Sequence, residues 1–298
     1  MNYKYLILII IIFIIVIITS SIYLDKTDNF TILDSKNLLS DKPFLWFYWE
    51  DTTNKRPGYI DICIDSIYKY CSETFNIIHL NNSNIDEYLP ELKYNNMDFS
   101  HIKIAQKVDF YRILLMYKYG GIYIDVDILV LKDLKPIIDK LKEYDYVGFG
   151  CTGDYCKIGT GRPSNWILCS RSQTKLMKNI LNRYYEKLLL INKNKSKANY
   201  HDLGKILIWE ELDKLIKNEK YQYYHYPNLY DGTRDVNGNW VSMSRLFSKE
   251  NIIYDKPDEL MFIVLYNSDA SNEIKKLTKE ELIKSDYFIS KYFNLIYQ

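Results

Sequence analysis

The sequence carries almost no net charge. Its 39 lysines and arginines are balanced by 38 aspartates and glutamates, which leaves a formal charge of +1 at pH 7. Proteins that bind the phosphates of nucleic acid have an excess of basic residues or a basic patch on their surface. The composition therefore gives no support for nucleic-acid binding, and we expect no nucleic-acid partner.

Histidine is scarce, and the motifs that depend on it are missing. The chain has four histidines, at positions 79, 101, 201 and 225. None belongs to an H-E-x-x-H pair or to a serine–histidine motif. The sequence therefore argues against zinc-dependent hydrolysis and against serine–histidine catalysis.

Cysteine is also sparse, and its spacing matches no metal-binding pattern. The five cysteines stand at positions 63, 71, 151, 156 and 169. Cys151 and Cys156 share a glycine-rich loop and are close enough in sequence for a disulfide. Cys63 and Cys71 lie eight residues apart on a predicted helix, about 12 Å of rise, which is too far to bridge. We expect Cys63, Cys71 and Cys169 to be buried free thiols.

The N-terminal segment lacks charge altogether from residue 5 to residue 24. Twenty helical residues span roughly 30 Å, the thickness of a bilayer's hydrocarbon core. A cleaved signal peptide is the alternative, but the apolar stretch is long and no A-x-A-like site follows it. We expect residues 1–24 to be a signal-anchor, residues 25–42 a stem and residues 43–298 the functional domain. The charges that flank the anchor favour a single-pass type II protein with an extracytoplasmic domain.

Apolar runs alternate with helical patterns along the rest of the chain. Short runs bounded by turn residues predict strands at 44–49, 75–80, 122–124, 145–149, 166–170 and 260–266. Apolar residues at helical spacing predict helices at 59–70, 102–118, 172–190 and 203–217. This alternation is typical of an α/β domain on a mostly parallel sheet, whose ligands collect at the carboxyl ends of the strands.

Two aspartates follow the strand predicted at 122–124. Asp125 and Asp127 are two residues apart, so in an extended chain their side chains point the same way. Carboxylates beside a buried strand are costly unless something compensates their charge. A hard divalent cation bound through oxygen, with phosphate oxygens as further ligands, would do so. The pair therefore predicts a metal site for a nucleoside diphosphate.

Asp109 and Arg112 share one face of the helix before this strand, because they are three residues apart. The simplest interpretation is an ion pair within the helix, worth only tenths of a kcal/mol. The functional alternative is a carboxylate and a guanidinium that face a polar ligand. The spacing alone does not decide between the two interpretations.

The run Asp109-x-x-Arg112, continued by Leu-x-x-Tyr-x-Tyr-Gly-Gly-Ile-Tyr-Ile-Asp-Val-Asp, resembles the core of the DXD sugar-binding-region glycosyltransferases. These include capsular polysaccharide synthesis transferases, initiating mannosyltransferases and the catalytic domains of glucosylating toxins. Trp46-Phe-Tyr-Trp-Glu50 is similar to the first strand of the capsular group, and Lys276-Leu277-Thr278 to a late motif in it. The close match covers about 20 residues, with looser agreement from Phe44 to about Trp166.

The resemblance implies a GT-A-like fold, a UDP- or GDP-sugar donor, a glycan or glycoprotein acceptor and Mn²⁺ or Mg²⁺. It also implies sugar transfer, with retention of anomeric configuration as in most related families. By the same resemblance Asp125 and Asp127 hold the metal and the ribose, with Asp127 the more direct ligand. By the same resemblance Asp109 and Arg112 contact the donor-sugar hydroxyls, Asn165 touches the sugar and Tyr123 lines the donor pocket. Trp49 stacks on the base, with Trp46 a weaker candidate.

Three points stay open at the level of sequence. The late metal or phosphate contact is either Asn267-Ser268-Asp269 or His201-Asp202. An inactive carbohydrate- or nucleotide-binding module would keep the same fold. A metal-dependent phosphohydrolase would also use paired aspartates, although the apolar residues 128–131 offer no additional ligands.

Overall fold

The computed structural model describes residues 30–33, 40–50, 56–150 and 162–298. Contacts within the chain group residues 33–298 into one compact unit and residues 1–32 into another. The predicted anchor, most of the predicted stem and the Cys151–Cys156 pair lie outside the described residues. Within those ranges, no helix is both long and apolar enough to cross a membrane.

A six-stranded sheet forms the centre of the larger unit, in the order β2-β1-β3-β6-β5-β7. The strands are β1 (Phe44–Tyr48), β2 (Asn76–Leu80), β3 (Gly121–Ile124), β5 (Tyr146–Phe149), β6 (Ile167–Ser170) and β7 (Tyr224–Tyr226). The pairs β1–β2, β1–β3 and β5–β7 are parallel, whereas β6 runs antiparallel to both β3 and β5. The predicted α/β class with a mostly parallel central sheet is therefore confirmed.

A second, two-stranded sheet pairs β4 (Ile128–Val130) with β8 (Phe262–Val264) in antiparallel register. All six of these residues are buried. The sequence prediction placed a strand at 260–266 but none at 128–130, because the three apolar residues are too few to show a period. The link from β3 to β4 contains the two aspartates.

Helices cover the sheet and complete the unit. They are α1 (Gly58–Cys71), α2 (Ile85–Tyr88), α3 (Glu91–Tyr94), α4 (Ile104–Lys118), α5 (Lys135–Leu141), α6 (Lys175–Asn194), α7 (Lys205–Glu219), α8 (Met243–Leu246), α9 (Asn272–Lys276), α10 (Lys279–Lys284) and α11 (Ser290–Ile296). The four long helices match the predicted positions within a few residues at each end. Cys63, Cys71 and Cys169 are buried free thiols, as predicted.

The turn from α4 into β3 depends on glycine. Gly120 has φ +68° and its N–H donates to the carbonyl oxygen of Met116 at 3.1 Å, so it ends the helix in a left-handed conformation. Gly121 has φ +93°, and a Cβ there would lie 2.3 Å from the carbonyl oxygen of Phe44. The two glycines therefore let β3 pack directly against β1 and point its carboxyl end at the site.

Candidate active site

Asp125 and Asp127 lie where the chain leaves the large sheet for the small one. The N–H of Asp125 donates to the carbonyl oxygen of Trp166 at 2.8 Å, and the N–H of Ile128 donates to the carbonyl oxygen of Asp125 at 3.2 Å. The second bond closes a turn, so the extended geometry predicted for this segment is wrong. The two carboxylates nevertheless interact, since the charge of Asp127 contributes to the raised pKa of Asp125.

Arg112 binds the first of these aspartates. Its Nη2 donates to Asp125 Oδ1 at 2.7 Å, and its Nη1 donates to the carbonyl oxygen of Asn165. Its Nε lies 3.4 Å from Asp109 Oδ1, which also accepts a hydrogen bond from Asn165 Nδ2 at 2.9 Å. The Arg112 side chain is 6% exposed, that of Asp109 9% and that of Asp125 29%. The ion pair within the helix thus belongs to a buried network that reaches the strand end, and Asp125 is its most accessible carboxylate.

Burial dominates the electrostatics of this network. It raises the pKa of Asp125 to about 7, an effect that Arg112 partly offsets and Asp127 reinforces. It raises the pKa of Asp109 to about 6, and also raises the pKa of Asp127. Burial acts to lower the pKa of Arg112, but Asp125 and Asp109 outweigh it and raise that pKa. One guanidinium therefore does not fully compensate the three carboxylates, which leaves the site favourable for a further positive charge.

Two of the predicted donor-binding residues are buried in the interior. Trp46 is 0% exposed, and its Nε1 donates to the carbonyl oxygen of Gly120 at 3.1 Å. The Tyr123 ring is 1% exposed and lies 4.8 Å below the Arg112 guanidinium. Both rings are therefore core residues in this structure, and base stacking by Trp46 and pocket lining by Tyr123 stay predictions. Trp46 anchors the glycine turn, and Tyr123 supports Arg112.

Two other predicted donor-site residues, Trp49 and Asn165, lie at the edge of the site. Trp49 follows β1, is partly exposed, and its N–H donates to the carbonyl oxygen of Leu80 at 2.9 Å. Asn165 precedes β6 and joins Asp109 to Arg112 through the bonds given above. Because β1 and β6 flank β3 in the sheet, these two residues stand on opposite sides of the aspartates.

Of the two late segments, residues 267–269 reach the aspartates. The N–H of Asn267 donates to Asp127 Oδ2 at 2.6 Å, and the Asn267 side chain accepts from the Tyr59 hydroxyl. Asp202 instead accepts from the N–H of Asn199 at 3.1 Å and holds its own loop. The sequence could not choose between the two segments because the contact is made by a backbone N–H, which every residue except proline carries.

A cavity of about 450 Å³ opens between the start of α1 and the segment after the Asn267 turn. Its lining carries four cations, Arg56, Lys275, Lys276 and Lys279, and two carboxylates, Asp61 and Glu280. Arg56 pairs with Asp61 at 2.6 Å, and the balance of charge is basic. Gly58 begins α1 without a side-chain cap, but its N–H donates to the carbonyl oxygen of Leu277 at 3.3 Å, which joins the two walls of the cavity. Tyr59, the next residue, is buried and donates its hydroxyl to the side chain of Asn267, whose N–H binds Asp127, so the start of α1 contacts the turn that holds this carboxylate.

Gly204 is a site residue that the sequence analysis missed. A Cβ at this position would lie 2.5 Å from Asp109 Oδ2 and 2.6 Å from Asn165 Nδ2. The backbone before α7 therefore packs against the network with no room for a methyl group. The sequence gives no signal of this contact, because Gly204 is a single glycine that lies more than 90 residues after Asp109.

Gly204→Ala is expected to displace Asp109 and Asn165. Overpacking of this kind costs about 1–3 kcal/mol of unfolding free energy. The side chains around Arg112 must then shift as well. Thermal melting measures the loss of stability. A melting temperature equal to that of the unchanged protein would show that the network does not depend on this contact.

The buried carboxylate of Asp231 lies outside the network. Asp231 is 0% exposed, and its Oδ1 accepts from the N–H and the hydroxyl of Thr233 at 2.9 and 2.6 Å. Its Oδ2 is buried with no hydrogen-bond partner among the described residues. Burial raises the pKa of Asp231 to about 7, although the Thr233 bonds oppose the shift.

Asp231→Asn should stabilise the protein increasingly as the pH rises. The folded-state pKa exceeds the unfolded value of about 3.9, so ionisation of Asp231 costs stability progressively from about pH 4 to about pH 7. Asparagine keeps the acceptor for Thr233 and removes the charge. The gap in melting temperature between variant and parent should widen from pH 5 to pH 8.

Asp139 offers the matched control for that titration. It is an exposed carboxylate whose pKa is held below its usual value by Lys135 and Lys142. Asp139→Asn should therefore give no stabilisation at either pH. A constant gap for the Asp231 variant across the same range would contradict the assignment of a raised pKa to Asp231.

The residues around Asp127 fit a divalent cation by donor type. Asp125 and Asp127 supply carboxylate oxygens, and residues 267–269 add amide, hydroxyl and carboxylate oxygens within the same turn. Mg²⁺ and similar ions are commonly held by one or two carboxylates together with substrate phosphates. Across the described ranges, no three histidine, cysteine, aspartate or glutamate side chains cluster as a metal-binding group.

The fold and the site together define an α/β domain with a partly compensated carboxylate site at the carboxyl end of its sheet. The family model for capsular polysaccharide synthesis proteins matches residues 17–207, more than half of the chain. The chain belongs to the capsular polysaccharide synthesis protein family. The resemblance seen in the sequence is thus confirmed at the level of the family. No curated protein matches this chain.

Several solved structures are similar at low identity. The glycosyltransferase GlyE of Streptococcus pneumoniae TIGR4 is 15% identical with a TM-score of 0.45, over 87% of this chain and 64% of GlyE. Mouse xyloside xylosyltransferase 1 is 9% identical with a TM-score of 0.45, over 77% of this chain and 99% of that protein. The PaToxG glycosyltransferase is 15% identical with a TM-score of 0.38, over 59% and 71%. The match spans less than two thirds of GlyE, and scores this low carry no argument about function.

Proposed function

We propose that this protein is a metal-assisted glycosyltransferase of GT-A type that moves a sugar from a UDP- or GDP-sugar to a glycan or glycoprotein acceptor. One observation carries the proposal. Asp125 and Asp127 follow the same strand end, Asp125 bound by the Arg112 guanidinium and Asp127 by the Asn267 N–H, in a member of the capsular polysaccharide synthesis family. Retention of anomeric configuration is part of the proposal because most related families retain it.

Asp125 and Asp127 would hold Mn²⁺ or Mg²⁺. When bound, the cation neutralises charge that develops on the leaving diphosphate. Asn267 fixes the Asp127 carboxylate through its N–H, and Arg112 fixes that of Asp125. Both carboxylates are therefore positioned before the donor arrives, and little reorganisation remains to be made during the reaction.

The basic cavity would take the diphosphate end of the donor. Its four cations outnumber its two carboxylates, and the start of α1 adds the positive end of the helix dipole, which together suit phosphate oxygens. It lies on the Tyr59 side of Asp127. The donor base would then reach toward Trp49 beyond β1, while the sugar would extend toward Asn165 and Asp109 on the β6 side.

The remaining parts of the sequence prediction stay proposals. We propose a signal-anchor in residues 1–24, a stem in residues 25–42 and the transferase domain in residues 43–298. The protein would then be a type II membrane protein with its site on the extracytoplasmic side. The apolar, uncharged stretch from residue 5 to residue 24 is the support for this topology.

A panel of nucleotide sugars tests the function. The full chain, purified in detergent, is incubated with Mn²⁺ and each UDP- or GDP-sugar, and free nucleoside diphosphate and free sugar are measured together. The proposal expects one donor to yield both products in equal amounts. Release of inorganic phosphate instead would indicate a phosphohydrolase, and binding without turnover of any donor or acceptor would indicate a binding module.

A further inference from the structure

The segment from Asn199 to Gly204 forms a fixed wall beside the carboxylates. Gln106 is buried on α4, one turn before Asp109, and its Nε2 donates to the carbonyl oxygen of Asn199 at 2.8 Å. The Asp202 carboxylate accepts from the N–H and the side chain of Asn199 at 3.1 and 3.0 Å. Gly204 packs against Asp109 at the other end. The backbone of this wall is therefore held at both ends by α4.

Tyr200 projects from this wall and is 51% exposed. The His201 ring packs edge-on against it, with the centroids 4.8 Å apart. Burial raises the pKa of the Tyr200 hydroxyl, and Asp109 and Asp125 raise it further. Arg112 and Asp127 also act on it. Tyr200 therefore stands on a segment that α4 holds at both ends, between the Gln106 contact and the Gly204 contact with Asp109, and half of its side chain is open to solvent.

The position of Tyr200 assigns it to the sugar half of the site. Asn165 and Asp109, which contact Gly204, lie on the β6 side of the aspartates. The basic cavity and Trp49 lie toward α1 and β1. A ligand that spans the site with its diphosphate at Asp127 would therefore bring its sugar, and not its base, against Tyr200.

We propose that the Tyr200 ring packs against the transferred sugar of the donor and is a determinant of sugar binding. This inference rests on the proposed transferase function. A pyranose has an apolar C–H face and polar hydroxyl edges. The tyrosine ring offers an apolar face with a hydroxyl at its end, and the partly exposed Asn165 and Asp125 offer hydrogen-bonding groups.

Paired titrations separate sugar binding from nucleotide binding. The full chain is titrated by calorimetry with UDP, UDP-glucose, GDP and GDP-mannose in the presence of Mn²⁺. For the matched pair that binds, Tyr200→Ala should weaken affinity for the nucleotide sugar about tenfold. Affinity for the free nucleotide should change less than twofold. Tyr200→Phe keeps the ring and should lose less than threefold.

Tyr94→Ala is the matched control. Tyr94 is 61% exposed on α3, and Glu91 of α3 pairs with Lys118 at the C-terminal end of α4, away from the aspartates. It should change neither affinity. Equal weakening of free nucleotide and nucleotide sugar by Tyr200→Ala would overturn the inference, and so would unchanged affinity for both. If the unchanged protein binds none of the four ligands, the proposed function itself fails and the inference falls with it.

Discussion

Asp127→Asn is expected to lower metal-dependent nucleotide release by at least about 100-fold while leaving the protein folded. Asparagine keeps an oxygen that can accept the Asn267 N–H, so the turn beside β8 should persist. It removes the negative charge that would bind the cation. The loss of several kcal/mol of transition-state stabilisation therefore appears in turnover and not in melting temperature.

Asp139→Asn supplies the control, since it makes the same change at an exposed side chain. The Asp139 carboxylate pairs with Lys135 and Lys142 on the surface. Its turnover should equal that of the unchanged protein. Initial rates across a Mn²⁺ series, with circular dichroism to check the fold, give both readouts. Near-normal rates for a folded Asp127→Asn protein would remove Asp127 from the metal site.

The second large effect is expected for Arg112→Gln, and here stability and activity should fall together. Arg112 is the cation of a buried network, so its removal leaves Asp109 and Asp125 without their partner. Breaking a buried pair from one side costs about 3–5 kcal/mol. In a domain of this size that corresponds to a fall in melting temperature of about 6–20 °C. Donor turnover should be lost because Asp125 is no longer held in place.

An exposed arginine shows what an ordinary ion pair contributes. Arg162 pairs with Asp213, and both side chains are at least 40% exposed. Arg162→Gln should cost less than about 1 kcal/mol. If the Arg112 and Arg162 variants melt at the same temperature, the buried network contributes no more to stability than a surface pair, and the account of Arg112 fails.

Much of the fold could be predicted because its elements are long or strongly patterned. The helix at 102–118 was expected from its apolar content and its Gly120–Gly121 end, and it is observed at Ile104–Lys118. The sequence did not predict strands β4 and β7, because each has three residues, too few to show a hydrophobic period. The Tyr-His-Tyr segment of β7 is equally compatible with a loop. Pairing of β4 with β8 joins residues more than 130 positions apart, which local pattern cannot reveal.

The candidate site could likewise be predicted only in part from the sequence. Asp109, Arg112 and Asp125 could be expected together, because one motif fixes their spacing along the chain. Asn165 lies outside that motif and was expected from the family resemblance alone. The roles of Trp46 and Tyr123 could not, since an aromatic residue at a strand position serves a core or a pocket equally well. The contribution of Gly204 and the Asn267 N–H depends on backbone approach, which leaves no trace in side-chain chemistry.

Calorimetric binding of a nucleoside diphosphate with and without metal tests the central claim most directly. The full chain in detergent is titrated with UDP and with GDP, first in Mn²⁺ and then in EDTA, beside the Asp127→Asn variant. The account predicts binding that weakens at least tenfold in EDTA, and a variant whose affinity does not respond to Mn²⁺. Equal affinity in Mn²⁺ and EDTA for the unchanged protein would contradict a metal-bridged diphosphate at Asp125 and Asp127.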